Sequence, residues 1–149
     1  MSISGTDRSV MADQKFFELE IISPDRVFYQ GKASMVELNT SEGEIGVYKD
    51  HIPLTTILVP GIVTITEASG KKEAAVHAGF IEILKEKITI LAEIAEWPEE
   101  IDVNRANEAK LRAERRIQTH TSDVNVTRAE MALRKALIRI ELAGTEWHK

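Results

Sequence analysis

Arg105 and Arg112 stand seven residues apart in a run of strong helix formers, so two helical turns place both guanidinium groups on one face. A guanidinium carries a rigid fork of N–H donors that suits phosphate and carboxylate oxygens. Further on, Arg128, Lys135 and Arg139 are spaced seven and four residues apart and share a second helical face, with Arg134 flanking it. Groups of this kind hold anions and supply no nucleophile. Nothing else assembles into a catalytic pattern. His51, His77, His120 and His148 are scattered without zinc-ligand spacing. The first two fall in strand-like sequence, where a structural histidine is the expectation. The absence of cysteine excludes disulfides, thiolate metal sites and cysteine nucleophiles. There is no Gly-rich phosphate loop, dinucleotide fingerprint or nucleophile elbow. Glu99-Glu100 reads as a solvated charge pair. No catalytic residue, no metal site and no required cofactor are expected.

The elements that must position these cations fall into two halves. From Lys15 to Ala92 apolar residues recur with period two: Phe17, Leu19 and Ile21; Met35 to Leu38; Ile45 to Tyr48; Ile62 to Thr66; Phe80 to Leu84; and Lys87 to Ala92. Turn signals separate them at Ser23-Pro24-Asp25, Gln30-Gly31-Lys32, Ser41-Glu42-Gly43, Pro60-Gly61, Ser69-Gly70 and Lys85-Glu86. Many short strands without intervening helices predict an antiparallel β-sandwich. After Trp97-Pro98 the period changes. Asp102 has the place of an N-cap for a helix from Val103 to about His120. Residues 119–125 prefer caps and turns and break it. A second helix is expected to start between Asp123 and Thr127, where Thr127-x-x-Glu130 fits a capping box, and to stop at Gly144. The apolar stripes are Ala106, Ala109, Ala113 and Ile117 on one helix, and Ala129, Leu133, Ala136, Ile140 and Ala143 on the other. The expected class is α+β: a sandwich over residues 15–98 and a two-helix antiparallel hairpin over 99–149, with residues 1–14 as a disordered or tag-like extension. Alanine stripes allow close approach but bury little area. They fit a hairpin held weakly enough to open, and equally a static helical cap.

The chain has 149 residues and a net charge of −5, with 43% hydrophobic and 5% aromatic residues. Residues 1–100 carry 9 basic and 17 acidic side chains, and residues 101–149 carry 10 and 7. A basic tail on an acidic body fits an acidic partner for the tail, or simply a solvated helix face. An acidic chain whose basic residues are not interleaved with aromatics is not expected to bind nucleic acid. The most apolar stretch, Ile52 to Ile65, is short and broken by Pro53, Pro60 and Gly61, so no direct membrane insertion is expected.

Several segments together resemble the epsilon subunit family of bacterial F-type, proton-translocating ATP synthases. They are Leu19-Glu20-Ile21-Ile22-Ser23-Pro24; Ser41-Glu42-Gly43-Glu44-Ile45-Gly46-Val47 followed by His51-Ile52-Pro53-Leu54; Ala78-Gly79-Phe80-Ile81-Glu82-Ile83; Ile88-Thr89-Ile90-Leu91-Ala92; Ile101-Asp102-x-x-Arg105-Ala106; and Arg128-Ala129-Glu130-x-Ala132-Leu133. They run in family order over residues 16–143. Tyr48-Lys49-Asp50 departs from the pattern, since many members carry an apolar residue, proline and glycine there.

The resemblance implies a non-catalytic central-stalk subunit that couples proton flow to ATP synthesis and inhibits ATP hydrolysis through a mobile hairpin. It implies the gamma subunit, the c-subunit ring and the alpha/beta catalytic subunits as partners, and a peripheral place on the cytoplasmic side of the cell membrane. Carried over by motif position, Glu42, Glu44 and His51 would face the ring. Arg128, Arg134, Lys135 and Arg139 would meet an acidic loop of the beta subunits. Glu96, Asp102, Arg105, Arg112 and Arg139 would bind ATP as a regulatory ligand, with Lys135 where ATP-binding members have a further arginine. A free-standing ATP sensor is the alternative that the same cluster allows.

Overall fold

The computed structural model describes residues 15–119 and 123–146; the expectations for residues 1–14, His120 and His148 lie outside them. Eight strands come first: β1 (Phe17–Ser23), β2 (Arg26–Ala33), β3 (Met35–Thr40), β4 (Gly43–Tyr48), β5 (Leu54–Leu58), β6 (Gly61–Glu67), β7 (Gly70–Ile83) and β8 (Lys87–Glu96). A single turn of 3-10 helix at Pro98–Glu100 leads to α1 (Val103–Gln118) and α2 (Asp123–Glu146). The order of neighbours is β2-β1-β8-β7-β5-β3-β4, with β6 between β3 and β7. Alternation turns Phe17, Leu19 and Ile21 of β1, and Ile88 and Ile90 of β8, into a shared core with Val36, Leu38, Ile65, Ile81 and Ile83. Each Leu or Ile buried there contributes about 1.5–3 kcal/mol.

The sandwich is antiparallel except where β1 lies parallel to β8, Leu19 opposite Ile88. That pair joins the first strand to the last, so no hairpin signal announces it. Two strands emerge where no period was evident. β2 contains the expected turn Gln30-Gly31-Lys32, and Gly31 is there for packing instead: a Cβ would stand 2.7 Å from Tyr29 Oη. β5 runs between Pro53 and Pro60. At Asp50, where the family pattern has glycine, φ is +63°. Aspartate tolerates this left-handed conformation better than most side chains.

β7 changes partner halfway along. Residues 70–76 pair with β6, and residues 79–83 pair with β5. Between them Ala78 and Gly79 have φ of +60° and +128°. A Cβ on Gly79 would meet the Leu91 carbonyl oxygen at 2.0 Å, so only glycine fits this close crossing. His77 is the residue just before this bend and is completely buried.

Asp102 caps α1 as expected, its Oδ1 accepting from the Arg105 backbone N–H at 3.1 Å. α2 begins at Asp123, inside the expected range, so Thr127 lies within the helix and does not cap it. It also continues past Gly144, which has no positive φ and open space around it. Local stop and start signals yield here to the packing of α2. The two helices meet through Ala106 and Ala113 on one side and Ala129, Ala136 and Ala143 on the other, all buried. Leu142, absent from the expected stripe, is fully buried too. It is α2 that rests on the body, against β6, β7 and the 98–100 turn.

The junction is fastened before the helices start. Trp97 stacks on Phe28 with ring centres 4.3 Å apart, and Tyr29 meets it edge-on. Arg26 Nη2 donates to both carboxylate oxygens of Glu100, at 2.9 and 2.8 Å. Glu100 Oε1 also accepts from the Trp97 backbone N–H. Glu100 is exposed, as expected of a solvated charge, and it also pairs with Arg26, which arrives from a strand distant in sequence.

Candidate functional site

A groove of about 290 Å³ opens where the hairpin meets the body, lined by Glu96, Glu100, Asp102, Arg105, Ala106, Ala109, Arg112 and Arg139. Each wall has a different origin. Glu96 ends β8, Asp102 caps α1, Arg105 and Arg112 project from α1, and Arg139 comes from α2. Ala106 and Ala109 form a low floor because they have no side chain beyond a methyl. Glu96 Oε1 accepts from Arg139 Nε at 2.6 Å and lies 3.2 Å from His77 Nε2. Burial pushes the Glu96 carboxyl up, but the hydrogen bonds from His77 and Arg139, with the charge of Arg139, outweigh it and hold the group below its ordinary value of 4.5.

Charge in the groove is unevenly satisfied. Glu96 has Arg139, and Glu100 has Arg26. Arg105 and Arg112 have no side-chain partner among the described residues. Both line the groove beside the carboxylates of Glu96, Glu100 and Asp102, and among the described residues neither forms an ion pair with them. Five of the six residues expected to bind ATP thus converge on one groove. Lys135 does not line it; it is half-buried one turn before Arg139. Glu100 is the charged lining residue that neither spacing nor the resemblance assigned to this site.

The other expected sites are more dispersed. Glu42 lies in the turn that opens β4, Glu44 is exposed on β4, and His51 follows the turn that closes it. The strand separates them by about 13–17 Å at its ordinary rise. His51 Nδ1 is 2.8 Å from the Ile52 carbonyl oxygen. On α2, Arg128 and Arg134 are exposed while Arg139 is turned onto the body. The shared basic face is therefore only partly open.

One surface escaped sequence reasoning. Ile57, Phe80, Leu91, Ile22 and Val27 stand opposite one another on five adjacent strands. Ile57 is 64% exposed, Val27 56% and Phe80 42%. A cross-strand row of this kind has no signature along the chain, because its members come from five separate segments. Contiguous exposed apolar surface marks an interaction site.

The fold is that of a binding subunit built from a strand-made body and a helical appendage. Residues 16–98 match the model of the ATP synthase delta/epsilon chain β-sandwich domain, and residues 99–144 that of its long α-helix domain. The ATP synthase epsilon chain of Caldanaerobacter subterraneus is 44% identical, over 87% of this chain and 95% of its own length. That of Halalkalibacterium halodurans is 42% identical, over 85% and 96%. A chain in the Euglena gracilis mitochondrial ATP synthase OSCP/F1/c-ring structure superimposes with a TM-score of 0.76 at 25% identity, covering 87% of this chain and 81% of that one. A chain of the Tetrahymena thermophila central stalk/c-ring structure shares the fold, with a TM-score of 0.62 at 16% identity. The chain belongs to the ATP synthase delta/epsilon family, among its bacterial epsilon chains. It is a non-catalytic subunit of the central stalk, in an enzyme complex that joins ATP synthesis to proton transport. No described helix is long and apolar enough to cross a membrane.

Proposed function

We propose that the body grips the rotor while the hairpin acts as a nucleotide-sensitive brake on ATP hydrolysis. The apolar row through Ile57, Phe80 and Leu91 is the face offered to the gamma subunit, and Glu42, Glu44 and His51 face the c-subunit ring. Held this way, the chain sits peripherally on the cytoplasmic side of the cell membrane. In the docked form ATP lies in the groove, its phosphates against Arg105 and Arg112. In the extended form Arg128, Arg134, Lys135 and Arg139 meet an acidic surface of the alpha/beta head. Arg139 is needed in both places and can occupy only one, so the two forms exclude each other. A ligand at ten times its dissociation constant favours the docked form by about 1.4 kcal/mol. That is enough to matter for a seam made of alanine.

The observation that carries this reading is the pair of arginines, without a side-chain partner among the described residues, that line a groove shared by both helices and the body. Calorimetry with ATP tests it: Arg105→Ala should weaken binding about tenfold or more, the value of a charge-assisted hydrogen bond. Equal affinity in the variant would remove ATP from the groove. The brake is tested in the assembled enzyme, where deletion of residues 101–149 should raise hydrolysis. Unchanged hydrolysis would leave the stalk role without the brake.

A further inference from the structure

His77 belongs to none of the sites above, yet it is completely buried and touches their central ion pair. Its Nε2 is 3.2 Å from Glu96 Oε1, the same oxygen that accepts from Arg139 Nε. Its Nδ1 is buried with no hydrogen-bond partner. A buried imidazole with one nitrogen unsatisfied is unfavourable by itself, since nearly all such atoms find a partner. The ring is thus held for a single bond. In the Nε2–H tautomer that bond donates to Glu96, and the idle Nδ1 is a lone pair and not a stranded N–H. The bend at Ala78–Gly79 sets the ring in place, because β7 turns immediately after it.

We propose that His77 is a positioning residue that latches the hairpin: it fixes the Glu96 carboxylate on Arg139 and so couples the bend in β7 to the docking of α2. Glu96 ends the last strand and is followed by the junction, so its carboxylate has rotamers that point away from α2. The bond from His77 selects the one that meets Arg139. Arg139 then does two things at once. It ties α2 to the body, and it stands at the wall of the groove beside Arg105 and Arg112. The inference rests on the docked hairpin of the proposed function and sharpens it: the rigid body, through one histidine, sets how readily the hairpin leaves.

Amide side chains separate this role from simple packing. Glutamine places its N–H₂ near the position of Nε2, while asparagine places it near that of Nδ1. The whole chain is used, with dyes on Lys71→Cys and Met131→Cys, both exposed and the protein otherwise free of cysteine. Energy transfer between them reads the docked fraction. His77→Asn should raise the undocked-to-docked ratio about tenfold, as expected for one lost hydrogen bond to a charged group. His77→Gln should stay within about twofold of the parent. Hydrogen exchange in β1 and β8 serves as the control that the body remains folded. In a Glu96→Gln background, His77→Asn should have no further effect. Equal behaviour of the two amides, or a continued effect of asparagine in that background, would assign His77 to packing and overturn the latch. Adding ATP to the same assay keeps the two readings apart. If ATP leaves the docked fraction unchanged, the nucleotide reading fails while the contrast between the two amides still decides His77.

Discussion

The body and the hairpin are built from different currencies of burial. Between the strands lie Leu19, Ile21, Leu38, Ile65, Ile81, Ile83, Ile88 and Ile90, all essentially inaccessible to water. Between the helices lie alanines at every seventh position, with Leu142 the one large side chain fully buried on either helix among the described residues. An alanine methyl contributes about one CH₂ equivalent, roughly 0.8 kcal/mol, where an isoleucine contributes several times more. Under the proposed function, the part that would grip the rotor is the stable one, and the part that would move is held by area small enough to release. Mobile elements are drawn from the low-stability end of a structure for this reason. Polar contacts make up the difference in the hairpin, with the Glu96–Arg139 pair fastening α2 to the body.

Removing core from the body is the strongest test of that contrast. Ile90→Ala deletes a fully buried side chain in β8, opposite Ile21 and Ile81. It should destabilise the body by about 2–5 kcal/mol, as cavity-forming substitutions do. Denaturant unfolding followed on the body measures it. A loss below 1 kcal/mol would mean that the sandwich core carries far less of the stability than its burial implies.

Acid should act on the hairpin before the body. Glu96 titrates below 4.5 in the folded chain, so its ionised form favours docking. Its contribution is complete above the unfolded value and is lost as pH falls through the depressed folded one. Energy transfer between body and hairpin, recorded from pH 7 to pH 3, should show α2 leaving below about pH 4.5 while strand amides remain protected. Loss of both together would tie the hairpin to the body more tightly than an alanine seam permits.

Much of this division is legible in the chain. The change from period two to period 3.6 after Trp97-Pro98 marks the boundary, and Asp102 marks the first cap. Arg105 and Arg112 fall on one face by spacing alone; the resemblance then adds Glu96, Asp102 and Arg139, and the fold brings all five to one groove. What stays hidden is what depends on contacts distant along the sequence. The parallel pairing of β1 with β8, the clamp of Arg26 on Glu100, the apolar row on five strands and the bond of His77 to Glu96 each join segments that no local pattern connects. Gly31 and Gly144 mislead for a related reason. A glycine looks like a turn or a stop until its neighbours are known, and here one makes room for Tyr29 while the other sits in an uninterrupted helix.

Gly144 offers the gentlest way to sharpen the comparison. It has helical backbone, no positive φ, and nothing within 4 Å of where a Cβ would stand. Gly144→Ala should therefore stabilise α2 by about 0.5 kcal/mol, mostly by narrowing the freedom of the unfolded segment. The effect is small because the position lies near the end of the helix. Hydrogen exchange of the last turns of α2 should slow about twofold, with β-strand amides unchanged. If docking is limited by the seam and the Glu96 latch, the docked fraction should hardly move. A clear rise in docking would instead show that fraying of α2, and not the weak alanine contact, governs how easily the hairpin departs.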